Sequence, residues 1–165
     1  PAAASARPPA PAALAAHHHV PARPAHRLAE TTPPLGDLTR KIILDPTQPL
    51  ERQHDRLEHA VDTAKAEIIQ AAAPDAYVVK AFNTLNWKTM IDPASSGGAV
   101  SVPLAGDSGK AKKKVAELVQ GMGLDPIDVG PVRDARWVEG MLILWINNRY
   151  GSMRPSFDFH LRRTP

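Results

Sequence analysis

The sequence predicts an α/β fold: a mostly parallel sheet with flanking helices, preceded by a disordered N-terminal arm. Three observations predict it. Short apolar runs of strand length alternate with stretches whose apolar residues recur every three or four positions. Turn and cap residues fall between these segments. Proline is concentrated at one end, with eight of the 17 prolines in the first 34 of 165 residues.

The arm is expected over 1–35 and a folded domain over 36–165. Within 1–34 the only large aliphatics are Leu14, Val20 and Leu28, too few to offset the entropy of ordering the segment. Its composition suits a partly polyproline-like arm. His17, His18 and His19 are adjacent, with His26 nearby. Neighbouring histidines on an arm chelate metal weakly, whereas a real site needs converging ligands and supporting hydrogen bonds. A tag remnant or compositional noise accounts for the cluster better, and no metal site is expected.

From Gly36 the texture changes. Lys41 to Asp45 is a short apolar run ending in an acidic residue, which reads as a buried strand stopped by Pro46 and Pro49. Leu57, Val61, Ala64, Ile68 and Ala72 follow at steps of three and four, predicting a helix over about 51–73. Residues 76–82 read as a second strand, 83–98 as a loop with a turn at Ser95-Ser96-Gly97-Gly98, and 100–105 as a third strand. Gly106-Asp107-Ser108 is a turn and helix cap. Ala111, Val115, Leu118 and Met122 mark the next helix, closed by Gly121 or Gly123. Residues 126–129 form a fourth strand. The last helix, over 132–148, is apolar on most of its surface, with Val138, Met141, Leu142 and Trp145 as its densest stripe. It is either a core helix or a dimer interface. Phe157 and Phe159 end the chain at strand-like alternation.

Composition excludes several functions. Lys and Arg total 20 against 17 Asp and Glu, a net charge of +3, too mild to argue for nucleic acid. The absence of cysteine removes disulfides, thiolate metal sites and a Cys nucleophile, and fits a reducing compartment such as the cytoplasm. No stretch reaches the roughly 18 apolar residues of a membrane span, since the run from Trp137 to Ile146 is short and holds Glu139. Gly106-Asp107-Ser108-Gly109-Lys110 fails as a phosphate loop, because its glycines are too close and Ala111 follows the Lys. The Gly-x-Gly-x-x-Gly dinucleotide fingerprint is absent. There is no Gly-x-Ser-x-Gly elbow and no His-Glu-x-x-His, and His54 and His59 read as surface residues.

Five blocks carry a resemblance. Residues 77–85 resemble a VVKAFNT segment, 103–107 a P-x-x-GD strand and cap, and 124–131 the end of a G-x-x-P-x-D-x-G-P block. Ala135-Arg136 and Val138-Glu139 resemble AR-x-x-E, and 36–45 resembles GDL-x-GK-x-x-x-D. In order and spacing, over about 125 residues, these blocks resemble the C-terminal part of the coenzyme F420-dependent NADP oxidoreductase family. The cytosolic domains of the membrane metalloreductases share them.

The resemblance implies a partial Rossmann-like, NAD(P)-binding sheet whose strands' carboxyl ends hold NADP and a hydride acceptor. The family has Thr-Asn-Pro after the first strand seen here, where this chain has Thr47-Gln48-Pro49. By the same resemblance, Asn83 and Thr84 face the nicotinamide and acceptor pocket, and the backbone at Leu85 and Trp87 holds the carboxamide. The cofactor-binding set is therefore Thr47, Pro49, Asn83, Thr84, Leu85 and Trp87. Archaeal members carry His in place of Asn83, so the implied acceptor is F420 or a flavin. No catalytic side chain is expected, because the two cofactors carry the hydride chemistry and the protein orients them.

Family members begin with a strand, a glycine loop and its helix, where this chain has the Pro/Ala/His arm. The expectation is a truncated or frame-shifted reading frame. The strand at 42–44 is then expected to leave an edge and one apolar face uncovered, with marginal stability or self-association. The alternative function is an inactive fragment that acts as an interaction module or homodimer through helix 132–148.

Overall fold

The computed structural model describes residues 18–19, 37–48, 50–53, 56–59, 62–151 and 157–164. Apart from His18 and His19, the expected arm lies outside the described residues, as does Pro49.

Among the described residues, seven strands and four α-helices follow in chain order: β1 (His18–His19), β2 (Ile42–Asp45), β3 (Leu50–Gln53), β4 (Arg56–His59), α1 (Lys65–Ala72), β5 (Tyr77–Lys80), α2 (Trp87–Ile91), β6 (Ser101–Ala105), α3 (Gly109–Gly121), β7 (Asp125–Gly130) and α4 (Ala135–Gly151). Short 3-10 turns cover Pro93–Ser96 and Val132–Asp134. The main sheet has the order β1-β2-β5-β6-β7, with every pairing parallel except β5 with β6. The expected α/β, mostly parallel architecture is present.

Helices cover both faces of the sheet. On one face Ile42, Leu44, Val79, Val102 and Leu104 pack against Ala111, Val115 and Val119 of α3. On the other, Ile43, Val78 and Ala105 pack against Ala66 and Ile69 of α1 and Ala135 of α4. A strand buried on both faces needs apolar residues without alternation, which explains the runs Ile42-Ile43-Leu44 and Val78-Val79.

Several elements differ from the sequence expectation. The helix foreseen over 51–73 is a β3–β4 hairpin followed by the eight-residue α1. Leu57 and Val61 have helical spacing, but too few apolar residues lie around them for a stripe to bury. The helix starts only at the Ala-rich stretch. Ala64, at its N-cap, has no side-chain acceptor, and the Glu67 carboxylate accepts from the Ala64 N–H at 2.9 Å instead. The buried residues of α1 are Lys65, Ala66 and Ile69; of the stripe foreseen, Ala64 is buried, whereas Ile68 is half-buried and Ala72 exposed.

The loop foreseen over 83–98 contains α2, capped by Asn86, and the 3-10 turn that ends at Gly97 in left-handed geometry. In α3 the cap is Ser108, as expected, but Val119 rather than Leu118 completes the buried stripe. The Phe157–Phe159 segment forms no strand. Phe159 O accepts from Ser101 N at 2.8 Å at the start of β6.

The uncovered edge is also a correction. His18↔Ile42 and His19↔Ile43 pair in parallel, so residues of the arm lie along β2, and Ile42, Ile43 and Leu44 are all buried. Arg40 takes φ 59, the left-handed geometry, where the resembling block has Gly.

Candidate functional site

β2 and β5 run parallel with Asp45 opposite Lys80, so both strands end on one edge of the sheet. Ligands of open α/β sheets bind at such carboxyl ends. Both terminal side chains are charged and neither is exposed. Lys80 Nζ lies 2.9 Å from Asp45 Oδ2 and 2.7 Å from Glu139 Oε1, a residue of α4 that is equally buried. It also donates to the Thr47 carbonyl. Asp45 Oδ1 accepts from Thr47 N at 2.9 Å and Thr47 Oγ1 at 2.6 Å, while Glu139 Oε1 accepts from Lys65 N at 2.9 Å. Such burial is sustained only by pairing of this kind.

Beyond β5 the chain turns at Phe82, a non-glycine residue at φ 64. Strained backbone of this sort persists where surrounding contacts over-determine it. The turn delivers Asn83 and Thr84, both buried, to the edge where β2 ends. Asn83 Nδ2 donates to Val138 O of α4 at 2.9 Å, and Gln48 Nε2 donates to Asn83 O at 2.9 Å. Both amides are thereby oriented, because only the NH₂ end can bond to a carbonyl.

Among the described residues, three side-chain polar atoms are buried without a partner: Gln48 Oε1, Asn83 Oδ1 and Thr84 Oγ1. Buried polar atoms are nearly always hydrogen-bonded, so three free ones on neighbouring segments call for a ligand or solvent. Two carbonyl oxygens and a hydroxyl suit a donor such as a carboxamide NH₂. A nicotinamide ring carries that group, so the residues present fit it.

The sequence-derived set divides here. Gln48, which follows Thr47, is hydrogen-bonded to Asn83, and Thr84 follows Asn83 in the chain. Leu85 is buried in the core beside Phe82, and Trp87, the first residue of α2, is 65% exposed. Gln48, Asp45, Lys80 and Glu139 were not foreseen as site residues. The available signal was Lys80, a lone cation inside an apolar strand that follows another strand ending in a carboxylate.

An open cleft of about 470 Å³ adjoins the loop, lined by Asn86, Lys88, Ser95, Trp145, Phe157 and His160 among others. A larger cleft, about 700 Å³, lies near the start of β5 between α1 and the cap of α3, and touches none of these residues. Elsewhere α1 and α4 are joined by a two-pronged ion pair, Arg136 to Glu67 at 2.7 and 2.8 Å. The Arg136 hydrogen bonds hold the Glu67 carboxyl below its usual range. Among the described residues no group of three potential ligands could hold a metal, and no helix is long and apolar enough to cross a membrane.

No family model matches the chain. A solved structure designated an F420-dependent NADP reductase, from Arthrobacter sp. FB24, superposes with a TM-score of 0.83 at 33% identity, covering 93% of this chain and 72% of that one. A hypothetical protein from Sinorhizobium meliloti superposes at 0.65 with 24% identity, covering 94% of this chain and 71% of that one, and shares the fold. Metalloreductase STEAP3 of Rattus norvegicus is 35% identical over 105 residues, 63% of this chain. That match spans 20% of the rat protein's length.

Proposed function

The chain belongs to the family of F420-dependent NADP reductases, and from that premise we propose that it holds the nicotinamide end of NADP(H) at the carboxyl ends of β2 and β5 for hydride transfer to a deazaflavin or flavin acceptor. The observation that carries this reading is the trio of buried, unpartnered atoms, Gln48 Oε1, Asn83 Oδ1 and Thr84 Oγ1. In this reading they receive the carboxamide and so fix which face of the ring is presented. Thr47 holds the end of β2 through Asp45, Pro49 follows it in the chain, and the backbone at Leu85 and Trp87 closes the other side. The acceptor has room in the cleft beside Asn86, where Trp145 and Phe157 offer aromatic surface.

When bound, the nicotinamide supplies the hydride chemistry. The protein's work is binding, orientation and exclusion of water. No side-chain acid or base is required. The domain is read as 36–165 following an arm at 1–35, and the lack of cysteine suits work in the cytoplasm.

Calorimetric titration with NADPH, with and without F420, tests the reading. The expected result is binding tighter than about 100 µM, roughly −5.5 kcal/mol. Asn83→Ala should weaken it about tenfold, on the order of 1.4 kcal/mol, by removing one acceptor and the link to Val138. A flat titration at millimolar nucleotide overturns the reading. It would leave the second one, an interaction module or homodimer through α4, which Trp137 and Leu144 favour: they lie seven residues apart on one helix face, 76% and 65% exposed.

A further inference from the structure

We infer that Lys80 is a positioning residue: its buried ammonium, clamped between Asp45 and Glu139, sets where the Gln48 and Asn83 amides present their free oxygens. This rests on reading those oxygens as the carboxamide-binding wall.

Lys80 lies on a strand buried on both faces, and its ammonium does not reach water. An ammonium has three donors. The three acceptors in reach are Asp45 Oδ2 at 2.9 Å, Glu139 Oε1 at 2.7 Å and the Thr47 carbonyl. They come from β2, from α4 and from the segment that leaves β2. Two of them adjoin a group that fixes a site amide. Gln48 follows Thr47 in the chain. Val138, whose carbonyl holds Asn83 Nδ2 at 2.9 Å, precedes Glu139.

The contacts therefore close a circuit. From Lys80 it runs to Thr47, along the chain to Gln48, across 2.9 Å to Asn83 O, from the Asn83 amide to Val138, along the chain to Glu139, and across 2.7 Å back to Lys80. A second path runs from Lys80 along its own chain through the left-handed Phe82 to Asn83. With both paths closed, neither amide can turn without breaking a buried hydrogen bond.

Stability alone does not require this arrangement, since buried ion clusters can often be exchanged for neutral groups of similar size without loss. Holding a binding wall in one geometry before the ligand arrives does require something rigid.

The test uses the full chain, ¹⁵N-labelled, with Asp45→Asn, Lys80→Met and Glu139→Gln combined so that no charge is stranded. In the wild type the side-chain NH₂ signals of Gln48 and Asn83 should be shifted from free-amide values and slow to exchange. In the neutral variant, still melting cooperatively, both should exchange at least tenfold faster and move toward free values, and NADP⁺ affinity should fall at least tenfold. Lys80→Arg, which keeps charge and several donors, should restore part of the protection. A folded neutral variant whose two amides stay as protected as in the wild type overturns the inference, as do unprotected amides in the wild type. If the neutral variant does not fold, Glu139→Gln alone, which keeps the Lys80–Asp45 pair, is read by the same signals with the same two outcomes. Protected amides in a wild type that binds no NADP⁺ would instead sink the functional reading and leave the circuit standing.

Discussion

In the β6–α3–β7 half of the molecule, charges meet at the surface. Lys112 and Asp128 pair at 2.6 Å with the Asp 59% exposed, and Arg163 reaches Asp125 at 3.1 Å from a side chain 61% exposed. The helix starts on a serine cap, ends before a glycine at φ 77, and buries Ala111, Val115 and Val119 at regular spacing. At the carboxyl ends of β2 and β5 the same kinds of group are handled in the opposite way. Asp45, Lys80 and Glu139 have no exposure at all, a non-glycine residue takes the left-handed turn, and three polar atoms go without partners. One half keeps its ion pairs at the surface and its helix regularly capped, with a single register irregularity at Leu104/Ala105, and the other breaks several local rules within a few residues. Such violations concentrate where a fold carries function, because only function repays geometry that stability alone would discard.

The sharpest way to break that contrast is to remove a cation from each half. Lys80→Met leaves two buried carboxylates facing a thioether and should cost about 3–5 kcal/mol. Lys112→Met removes a partly exposed partner and should cost no more than about 1 kcal/mol. Urea unfolding of both variants beside the wild type measures the difference. Similar midpoints for the two would mean that the buried cluster is solvated in solution and that the halves are alike after all.

A smaller effect sharpens the regular half. Ser108 Oγ accepts from Ala111 N at 3.2 Å and satisfies one of the free N–H groups at the start of α3. Ser108→Ala should cost about 1 kcal/mol with the urea slope unchanged, and amide exchange should rise in the first turn of α3 only. A global loss of protection would show that the cap also holds the sheet, possible only if this half is less modular than its local contacts indicate.

The contrast also explains what could be read from sequence. β2, β5, β6, β7 and α3 were legible because buried strands are continuous apolar runs and α3 is an amphipathic helix with a cap. The hairpin at 50–59 was not, because Leu57 and Val61 imitate helical spacing while cross-strand pairs such as Leu50↔His59 have no short-range signature. Of the site, Thr47, Asn83 and Thr84 were reached only by resemblance. Gln48 registered as a departure from a pattern rather than as a ligand. The Lys80 cluster joins residues 35 positions apart on two strands and a third on the last helix. An unpartnered acceptor such as Gln48 Oε1 is a property of the folded surroundings and cannot be written in any local motif.

The smallest predicted effect lies between the two extremes, at the ion pair that ties α1 to α4. Glu67 is partly exposed and does two things: it accepts from the Ala64 N–H at the start of α1, and it takes both prongs of Arg136. The Arg136 hydrogen bonds, helped by that backbone bond, hold its carboxyl below the ordinary glutamate range against a weaker opposing push from burial. A carboxyl whose folded value is depressed adds stability above its unfolded value, and the contribution disappears as the pH falls through the depressed folded value. Glu67→Gln keeps an oxygen for the Ala64 cap and removes the charge and one of the two acceptors for Arg136. The melting temperature of the wild type should therefore exceed that of Glu67→Gln by a small, constant margin from neutral pH down to the usual glutamate value of about 4.3. The margin should then close on further acidification. It should also shrink in high salt, as an exposed pair's does. No margin at neutral pH would mean that Glu67 acts through the cap alone and that the clamp between α1 and α4 contributes nothing; a margin that persists to the lowest pH at which both proteins fold would mean that it does not arise from the carboxylate's charge.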